Sequence, residues 1–445
     1  MVVSVAIVGS GPAGFYTANA LVKACTHFQI DIIERLPTPY GLIRGGVAPD
    51  HQTTKRVAKK FEKTALFEEV NFYGNIEINK HVSLSQLRDI YDAVVLAVGA
   101  PSDRKLSIPG VDKYGVFGST AFVGWYNGHP DFQDLNPCLN TESVVVVGNG
   151  NVALDCARIL SRTQKAMAVT DLPLSVQNSI TGSPIADVYV LGRRGPIEAN
   201  FTNVELRELG QLSQAEPRVR EEQLEFDAET KFAAYEGRDL RVRERNLNTL
   251  AEYAKLQPDR KPKRLHIEFF SQPVAVLGGE SVEALRCERT QLVDGQAQGT
   301  GKFFEIPCGL VIAAIGYRAD KIDGAPYDAM RGIVPNDEGR VAPGLYAVGW
   351  IKRGPTGVIS SNRPDGEIVA SHINEDTLGQ GNRSKLGRIG LERLLRSSGH
   401  RWVTFRDWQY LDTLEQLAAD GLAPRRKFVT IKAMLDALDA REQNK

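Results

Sequence analysis

Val2-Val3-Ser4-Val5-Ala6-Ile7-Val8-Gly9-Ser10-Gly11-Pro12-Ala13-Gly14 decides the fold of this chain. A short apolar run rich in β-branched residues ends at a glycine, the pattern of a strand buried on both faces of a parallel sheet. The glycines that follow are spaced G-x-G-x-x-G, and Gly14 to Ala24 then reads as a helix. Gly9 permits a tight turn, Gly11 lets the backbone approach a pyrophosphate, and Gly14 lets the helix pack on the sheet. The helix N-terminus offers amide hydrogens and a partial positive charge to phosphates. Gln29-Ile30-Asp31-Ile32-Ile33-Glu34 supplies a second strand and completes a βαβ unit. Glu34 falls about 20 residues beyond the last glycine, where a carboxylate accepts hydrogen bonds from adenosine ribose hydroxyls. The glycine pattern alone is weak. Strand, helix and acid in this order outweigh the bland alternative of a glycine turn followed by a surface glutamate.

The same series recurs downstream. Ser143 to Val147 reads as a buried strand, Gly148-Asn149-Gly150-Asn151-Val152-Ala153 as the turn, Leu154 to Ser161 as a helix, and Asp187 to Leu191 as the next strand. Ala153 replaces the third glycine, a tolerated change. The residues closing that strand differ from those in the first unit: Gly192-Arg193-Arg194-Gly195-Pro196 stands where Glu34 stood. A carboxylate repels a ribose 2′-phosphate, whereas guanidiniums attract it and bond it bidentately. The second site is therefore expected to choose NADP over NAD, leaving FAD for the first. The competing reading is a pair of arginines on a solvated turn.

Two further segments, Tyr91 to Gly99 and Cys308 to Gly316, both read as buried strands ending in glycine, and mark where the chain passes between domains. The expected fold is α/β, with two Rossmann-like dinucleotide-binding domains. An NADP domain at residues 104–318 is inserted in a discontinuous FAD domain made of residues 1–103 and 319–445. A length of 445 residues suits two domains.

Lysine plus arginine equals aspartate plus glutamate, 54 each, so net charge names no partner and gives no reason to expect nucleic acid. No apolar run is long enough to predict a membrane span. Cys25, Cys138, Cys156, Cys287 and Cys308 include no C-x-x-C pair, which argues against a redox dithiol, a zinc ribbon or an iron–sulfur cluster. Cys156, in an apolar helical stretch, reads as packing. Sparse, odd-numbered cysteines suit a reducing compartment. The simple expectation is a cytoplasmic protein, with a processed organellar form left open. Oligomeric state is unread. The tail from Arg401 onward mixes Trp402, Phe405, Trp408 and Tyr410 with polar residues and reads as ordered.

Nearly the whole chain resembles the adrenodoxin reductase-type ferredoxin–NADP(+) reductases, which are two-dinucleotide-domain flavoproteins of the glutathione reductase kind. The resemblance is carried by the run Pro39 to His51, by Gly150 to Asp155, by Gly192 to Pro196 and by Gly349 to Ile359. It implies that Ala13, Glu34, Leu42 and Ile76 contact FAD. It also implies that Trp350, Gly357, Val358 and Ile359 lie along the flavin, with Gly357 near the nicotinamide. Asn149, Gly150, Asn151 and Val152 would hold the NADP pyrophosphate, and Arg193, Arg194 and Glu205 would surround its adenosine ribose. A tryptophan following a strand is often simply core, which is the rival reading of Trp350. Small residues such as Gly354, Pro355 and Gly357 suit the close approach of a flat ring.

The implied chemistry is hydride transfer from NADPH to FAD, then one-electron transfer to a ferredoxin-type iron–sulfur protein. It needs no nucleophile and no metal. His51 and Asp155 match a pair that the family is thought to use near the flavin. The plainer readings are a loop hydrogen-bonder for His51 and a helix-dipole partner for Asp155. Ferredoxins are usually acidic, so a basic docking face is expected. Arg207, Arg241, Arg243 and Arg245 are its candidates, beside Arg238, Lys255, Arg260, Lys261, Lys263 and Arg264 in the same tract. A solvated charged face is the alternative. The rivals to the whole reading are an NADPH-dependent flavin reductase of a small molecule or quinone, and a non-catalytic flavin-binding scaffold.

Overall fold

The apolar opening run forms the strand Val3–Val8, with every residue buried. In the computed structural model, which describes residues 2–24, 27–225, 235–257, 260–377, 385–419 and 421–443, this strand lies inside a sheet of six. Its order is Arg340–Ala342, Leu345–Ala347, Ala93–Leu96, Val3–Val8, Phe28–Ile33, Val70–Tyr73. All neighbours run parallel except the antiparallel pair at the Arg340–Ala342 edge. Side chains alternate between faces: Val3, Val5 and Ile7 enter one core, and Ala6 and Val8 the other. Burial on both faces is why the run carries no polar alternation.

The sheet belongs to a unit made of Met1–Ser102, Asn127–Gln133 and Tyr317–Lys445. Its helix Pro12–Val22 packs on Asn362–Thr377, far away in sequence. The approach is close because residue 366 is glycine: a Cβ there would lie 2.7 Å from the Thr17 amide nitrogen. The tail is ordered, as expected, with helices Phe405–Leu417 and Ile431–Gln443 covering the same face through Trp408, Leu411, Met434 and Leu438. The short segment Asn127–Gln133 is tied in by an Arg35–Asp131 ion pair and by Lys427 Nζ donating to the Asn127 carbonyl at 3.0 Å.

The second unit, Asp103–Tyr126 with Asp134–Gly316, repeats the plan. Its parallel six-stranded sheet runs Val116–Gly118, Leu310–Ala313, Ser143–Val147, Asp187–Leu191, Lys263–Glu268, Ala215–Arg218. In each unit the strand before the glycine turn is central, with the next strand of its βαβ unit on one side and a later, returning strand on the other. The second unit adds an antiparallel sheet of Ser271–Leu277, Ala284–Val293 and Gln296–Pro307. The basic tract begins as the helix Gly237–Ala254 and ends in the strand Lys263–Glu268.

Both turn helices begin earlier than the sequence suggests, at Pro12 and Asn151. Proline's fixed φ suits the first helical position, and its missing N–H costs nothing there. Among the described residues no helix is long and apolar enough to cross a membrane.

Candidate functional site

The two glycine turns are anchored alike. The Gly9 amide donates to the Ile33 carbonyl at 2.8 Å, and the Gly148 amide to the Leu191 carbonyl at 2.9 Å. A Cβ on Gly9 would sit 2.5 Å from the Ala97 carbonyl oxygen, and one on Gly148 2.2 Å from that of Ala314. Both glycines have left-handed φ values, +111° and +141°. The returning strands therefore press against the turns so closely that only glycine fits.

Gly11 and Gly150 behave differently. Both are helix N-caps with no side-chain cap, and a Cβ on either would meet nothing within 4 Å. Each turn thus presents first-turn amides toward open space, the requirement for seating a pyrophosphate. A Cβ on Gly14 would lie 2.1 Å from the Gly9 carbonyl oxygen, whereas the second turn accommodates a buried Ala153 at the equivalent place.

The residues that close the turns give them opposite electrostatics. Glu34 Oε2 accepts from the Ser10 amide and hydroxyl, and Oε1 accepts from the Leu36 amide at 3.2 Å. A carboxylate is thereby fixed beside the first turn. At the second, Arg193 is exposed and Arg194 half-buried. Among the described residues neither guanidinium has an acidic or carbonyl partner, although their main-chain carbonyls are both bonded. Gly192 makes room for Asn149, whose Nδ2 lies 2.4 Å from where a Cβ would be. Asn149 Oδ1 is buried without a hydrogen-bond partner. Asn151 Oδ1 accepts from the Thr202 amide at 2.8 Å, and the Thr202 hydroxyl donates to Glu205. These bonds bring Glu205 to the edge of the second turn, beside Asn151.

In the first unit, Gly41 (φ +50°) brings its backbone against Gly11, where a Cβ would be 3.0 Å from the Gly11 Cα. The next residue, Leu42, is 47% exposed beside the turn. Ala13 is buried in the turn helix and touches Gly349, whose Cβ would come within 2.7 Å of the Ala13 Cβ. Ile76 buries its side chain, and only its main chain reaches the site, through an amide that donates to the Glu34 carbonyl at 2.9 Å.

Trp350 is half-buried and stacks on Tyr317 with ring centres 5.7 Å apart, its Nε1 donating to the Thr356 carbonyl at 3.1 Å. Gly357 and Val358 are exposed and Ile359 half-buried. Their loop is held by Arg353, which donates to Asp365, to Asn362 Oδ1 and to the Thr356 carbonyl. Asp365 also binds Lys352 and the Gly349 amide. Sequence reasoning missed Asp365 and Ser10. Ser10 stands inside the quoted turn, whereas nothing local marks Asp365.

His51 caps the helix Gln52–Lys55, its carbonyl accepting from the Lys55 amide at 3.1 Å. Asp155 pairs at 2.7 Å with Arg158, which is only 1% exposed and also binds Glu208 at 3.1 Å. Asp155 is thus one of two carboxylates balancing a buried cation.

The basic tract divides. Arg207, Arg241 and Arg245 are exposed, with no ion-pair partner among the described residues. Arg243 is committed to the Ile197 carbonyl, to Asp239 and to the Tyr235 ring face. Lys261 and Lys263 bond carbonyls, and Arg264 pairs with Asp187. The side chain of Arg238 lies outside the described residues. Cys25 does too, while Cys138, Cys156, Cys287 and Cys308 are free. Burial pushes the thiols of Cys287 and Cys308 up to about 12, which leaves them inert as nucleophiles.

The family model for pyridine nucleotide-disulphide oxidoreductases matches residues 3–245. The chain is 40% identical over 460 residues to the NADPH:adrenodoxin oxidoreductase, mitochondrial, of Arabidopsis thaliana, covering 97% of this chain and 95% of that protein. It is 38% identical over 447 residues to the NADPH-ferredoxin reductase FprA of Mycobacterium leprae, covering 97% of each. A solved structure of FprA from Mycobacterium tuberculosis aligns with a TM-score of 0.93 at 37% identity, over 97% of this chain and 98% of that one. A second, of FprA in complex with NADPH, gives 0.92 over 98% and 99%. With both glycine turns intact and this likeness running along almost its whole length, the chain belongs to the pyridine nucleotide-disulphide oxidoreductase family.

Proposed function

We propose that this protein is a ferredoxin–NADP(+) reductase, an FAD-dependent enzyme that carries electrons between NADPH and a ferredoxin-type iron–sulfur protein. The observation that carries the reading is the contrast between the two turn closures. A carboxylate is fixed beside the first by Ser10, and at the second stand two guanidiniums that have no acidic or carbonyl partner among the described residues. The first favours ribose hydroxyls and the second a 2′-phosphate. The names of the relatives support the same pairing of NADPH with an iron–sulfur acceptor. The unit containing Val3–Val8 then binds FAD and the other NADP(H). The cysteines supply no rival disulphide chemistry: none of them are spaced C-x-x-C, and Cys287 and Cys308 are buried.

Gly9, Gly11 and Gly14 shape the FAD turn, and Glu34 takes the ribose. Ala13, Leu42, the Ile76 main chain, Trp350, Gly357, Val358 and Ile359 complete the surround. Asn149, Gly150, Asn151 and Val152 hold the NADP pyrophosphate, and Arg193, Arg194 and Glu205 its adenosine end, with Gly357 toward the nicotinamide. Bound there, FAD would supply the link between two-electron hydride chemistry and single-electron transfer. The chain's task is to bind, orient and shield, and His51 and Asp155 are the candidates for a redox or proton role beside the flavin. Arg207, Arg241 and Arg245 offer a cationic face to an acidic acceptor. The four cysteines that are free among the described residues fit a reducing compartment such as the cytoplasm.

The test is anaerobic reduction of the yellow holoprotein with NADPH and with NADH, followed by cytochrome c reduction with and without added ferredoxin. Bleaching by NADPH in strong preference to NADH, and turnover dependent on ferredoxin, are expected. Equal use of both nucleotides would refute the NADP assignment. Fast turnover with a quinone and none with ferredoxin would refute the acceptor.

A further inference from the structure

Three consecutive carbonyls at the second closure are all engaged by the antiparallel sheet. Gly192 accepts from the Ser271 amide at 3.0 Å, Arg193 from the Thr290 hydroxyl at 2.7 Å, and Arg194 from the Phe270 amide at 3.1 Å. Only the middle bond comes from a side chain. Thr290 is 6% exposed, and its own amide donates to the Phe270 carbonyl at 3.0 Å, so hydroxyl and backbone brace the same corner. Thr290 stands where the Ala284–Val293 strand slips register against its neighbour, between the pairs Glu288–Phe303 and Thr290–Gly299. A local irregularity of this kind re-aims side chains. Phe270 holds a left-handed φ of +51°, and its ring lies 2.7 Å from where a Gly195 Cβ would be. The turn is thus clamped through its main chain.

We infer that Thr290 is a positioning residue for NADP selectivity. Its hydroxyl fixes the main chain of Arg193 so that the paired guanidiniums are presented in the spacing a 2′-phosphate requires. This rests on the reading that Arg193 and Arg194 take that phosphate. Among the described residues the guanidiniums have no acidic or carbonyl partner, so the backbone sets where they start. Ordering a loop in advance removes an entropic cost from binding. The effect is confined to the ligand's 2′-phosphate, because the pyrophosphate turn at Gly148–Ala153 is anchored separately, through the Leu191 and Ala314 contacts. Arg193 is exposed as a residue, and the bond to its carbonyl is part-buried.

The experiment uses FAD-loaded full-length protein and compares T290V, T290S and an R193Q/R194Q double variant. Binding of 2′,5′-ADP and of 5′-ADP is followed by calorimetry, alongside kcat and KM for NADPH. T290V is expected to weaken 2′,5′-ADP binding roughly fivefold or more, the scale of one lost hydrogen bond. It should leave 5′-ADP binding and kcat unchanged and raise the KM for NADPH, and T290S should restore wild-type values. If T290V loses affinity for both nucleotides equally, or for neither, the role of Thr290 is overturned. If the double variant retains 2′,5′-ADP affinity, the underlying reading of the arginine pair falls. If the double variant loses it while T290V does not, only the inference about Thr290 falls.

Discussion

Glu34 Oε2 accepts hydrogen bonds from both the amide and the hydroxyl of Ser10, at 3.0 and 2.7 Å. The acid that closes the first unit is therefore locked to the turn it faces, before any ribose arrives. Replacing it removes a charged acceptor and frees the turn. E34A is expected to weaken FAD retention by about 1.5–3 kcal/mol, roughly 10- to 100-fold. S10A should cost less, about 0.5–1.5 kcal/mol. Fluorescence of flavin released on dilution measures both. Undiminished retention in E34A would refute the role given to this carboxylate.

Gly14 and Ala153 occupy equivalent places with unequal room. A Cβ on Gly14 would stand 2.1 Å from the Gly9 carbonyl oxygen, so G14A must push the helix off its turn. Its expected cost is about 2–4 kcal/mol, read as a lowered melting temperature and lost flavin. A153G adds backbone freedom and removes one buried methyl, and should cost about 1–2 kcal/mol. Thermal unfolding of the two variants side by side decides the matter.

The arginines of the helix Gly237–Ala254 should separate by function. Arg241 and Arg245 are exposed and unpaired among the described residues, whereas Arg243 is stacked 3.9 Å over Tyr235. R241E/R245E is expected to slow association with an acidic ferredoxin about tenfold at low salt, to flatten its salt dependence, and to leave FAD content unchanged. R243A should instead lower stability with little effect on association. Stopped-flow association over a salt series, paired with melting curves, distinguishes them. Salt-independent association of the wild type would remove the docking face.

His129 gives the protein an acid limit. Burial is the main cause that brings its imidazole down to about 4, opposed by Asp131 and reinforced by Arg35, Arg44 and Lys427. Its Nδ1 accepts from the Asp131 amide at 3.2 Å, which requires that nitrogen to be unprotonated. The folded value lies below the unfolded value of about 6.5, so the unfolded chain binds more protons between them. Stability is full above pH 6.5 and is lost as pH falls toward 4, by about 3 kcal/mol for this group. H129Q should show a shallower decline over that window in denaturant titrations. A slope identical to the wild type would exclude His129 as a contributor.

Much of this arrangement is legible in local sequence. The strands Val3–Val8, Ser143–Val147 and Asp187–Leu191 lie where apolar runs placed them, because burial on both faces leaves an unbroken apolar stretch. The contrast between Glu34 and Arg193–Arg194 was equally visible, since both fall at fixed offsets from glycine turns. What escaped depends on residues brought together from afar. Ser271–Leu277, Ala284–Val293 and Gln296–Pro307 went unread as a sheet, although half-buried alternation ran through the second of them. The bond from Thr290 to Arg193 spans 97 positions, and no pattern announces it. The basic tract misled in part: Lys261, Lys263 and Arg264 carry charge that is spent inside the second unit.

The packing of Val5, Ile7 and Phe15 with Val369, Trp408 and Leu438 sets an order on synthesis. A nascent chain leaving the ribosome exposes its first strand long before the helices that cover it exist, while residues 103–316 emerge with nearly all their own sheet in hand. The middle of the polypeptide is thus free to fold while Val3–Val8 still waits for its cover, and a truncation that removed Trp408 and Leu438 would strip that cover away.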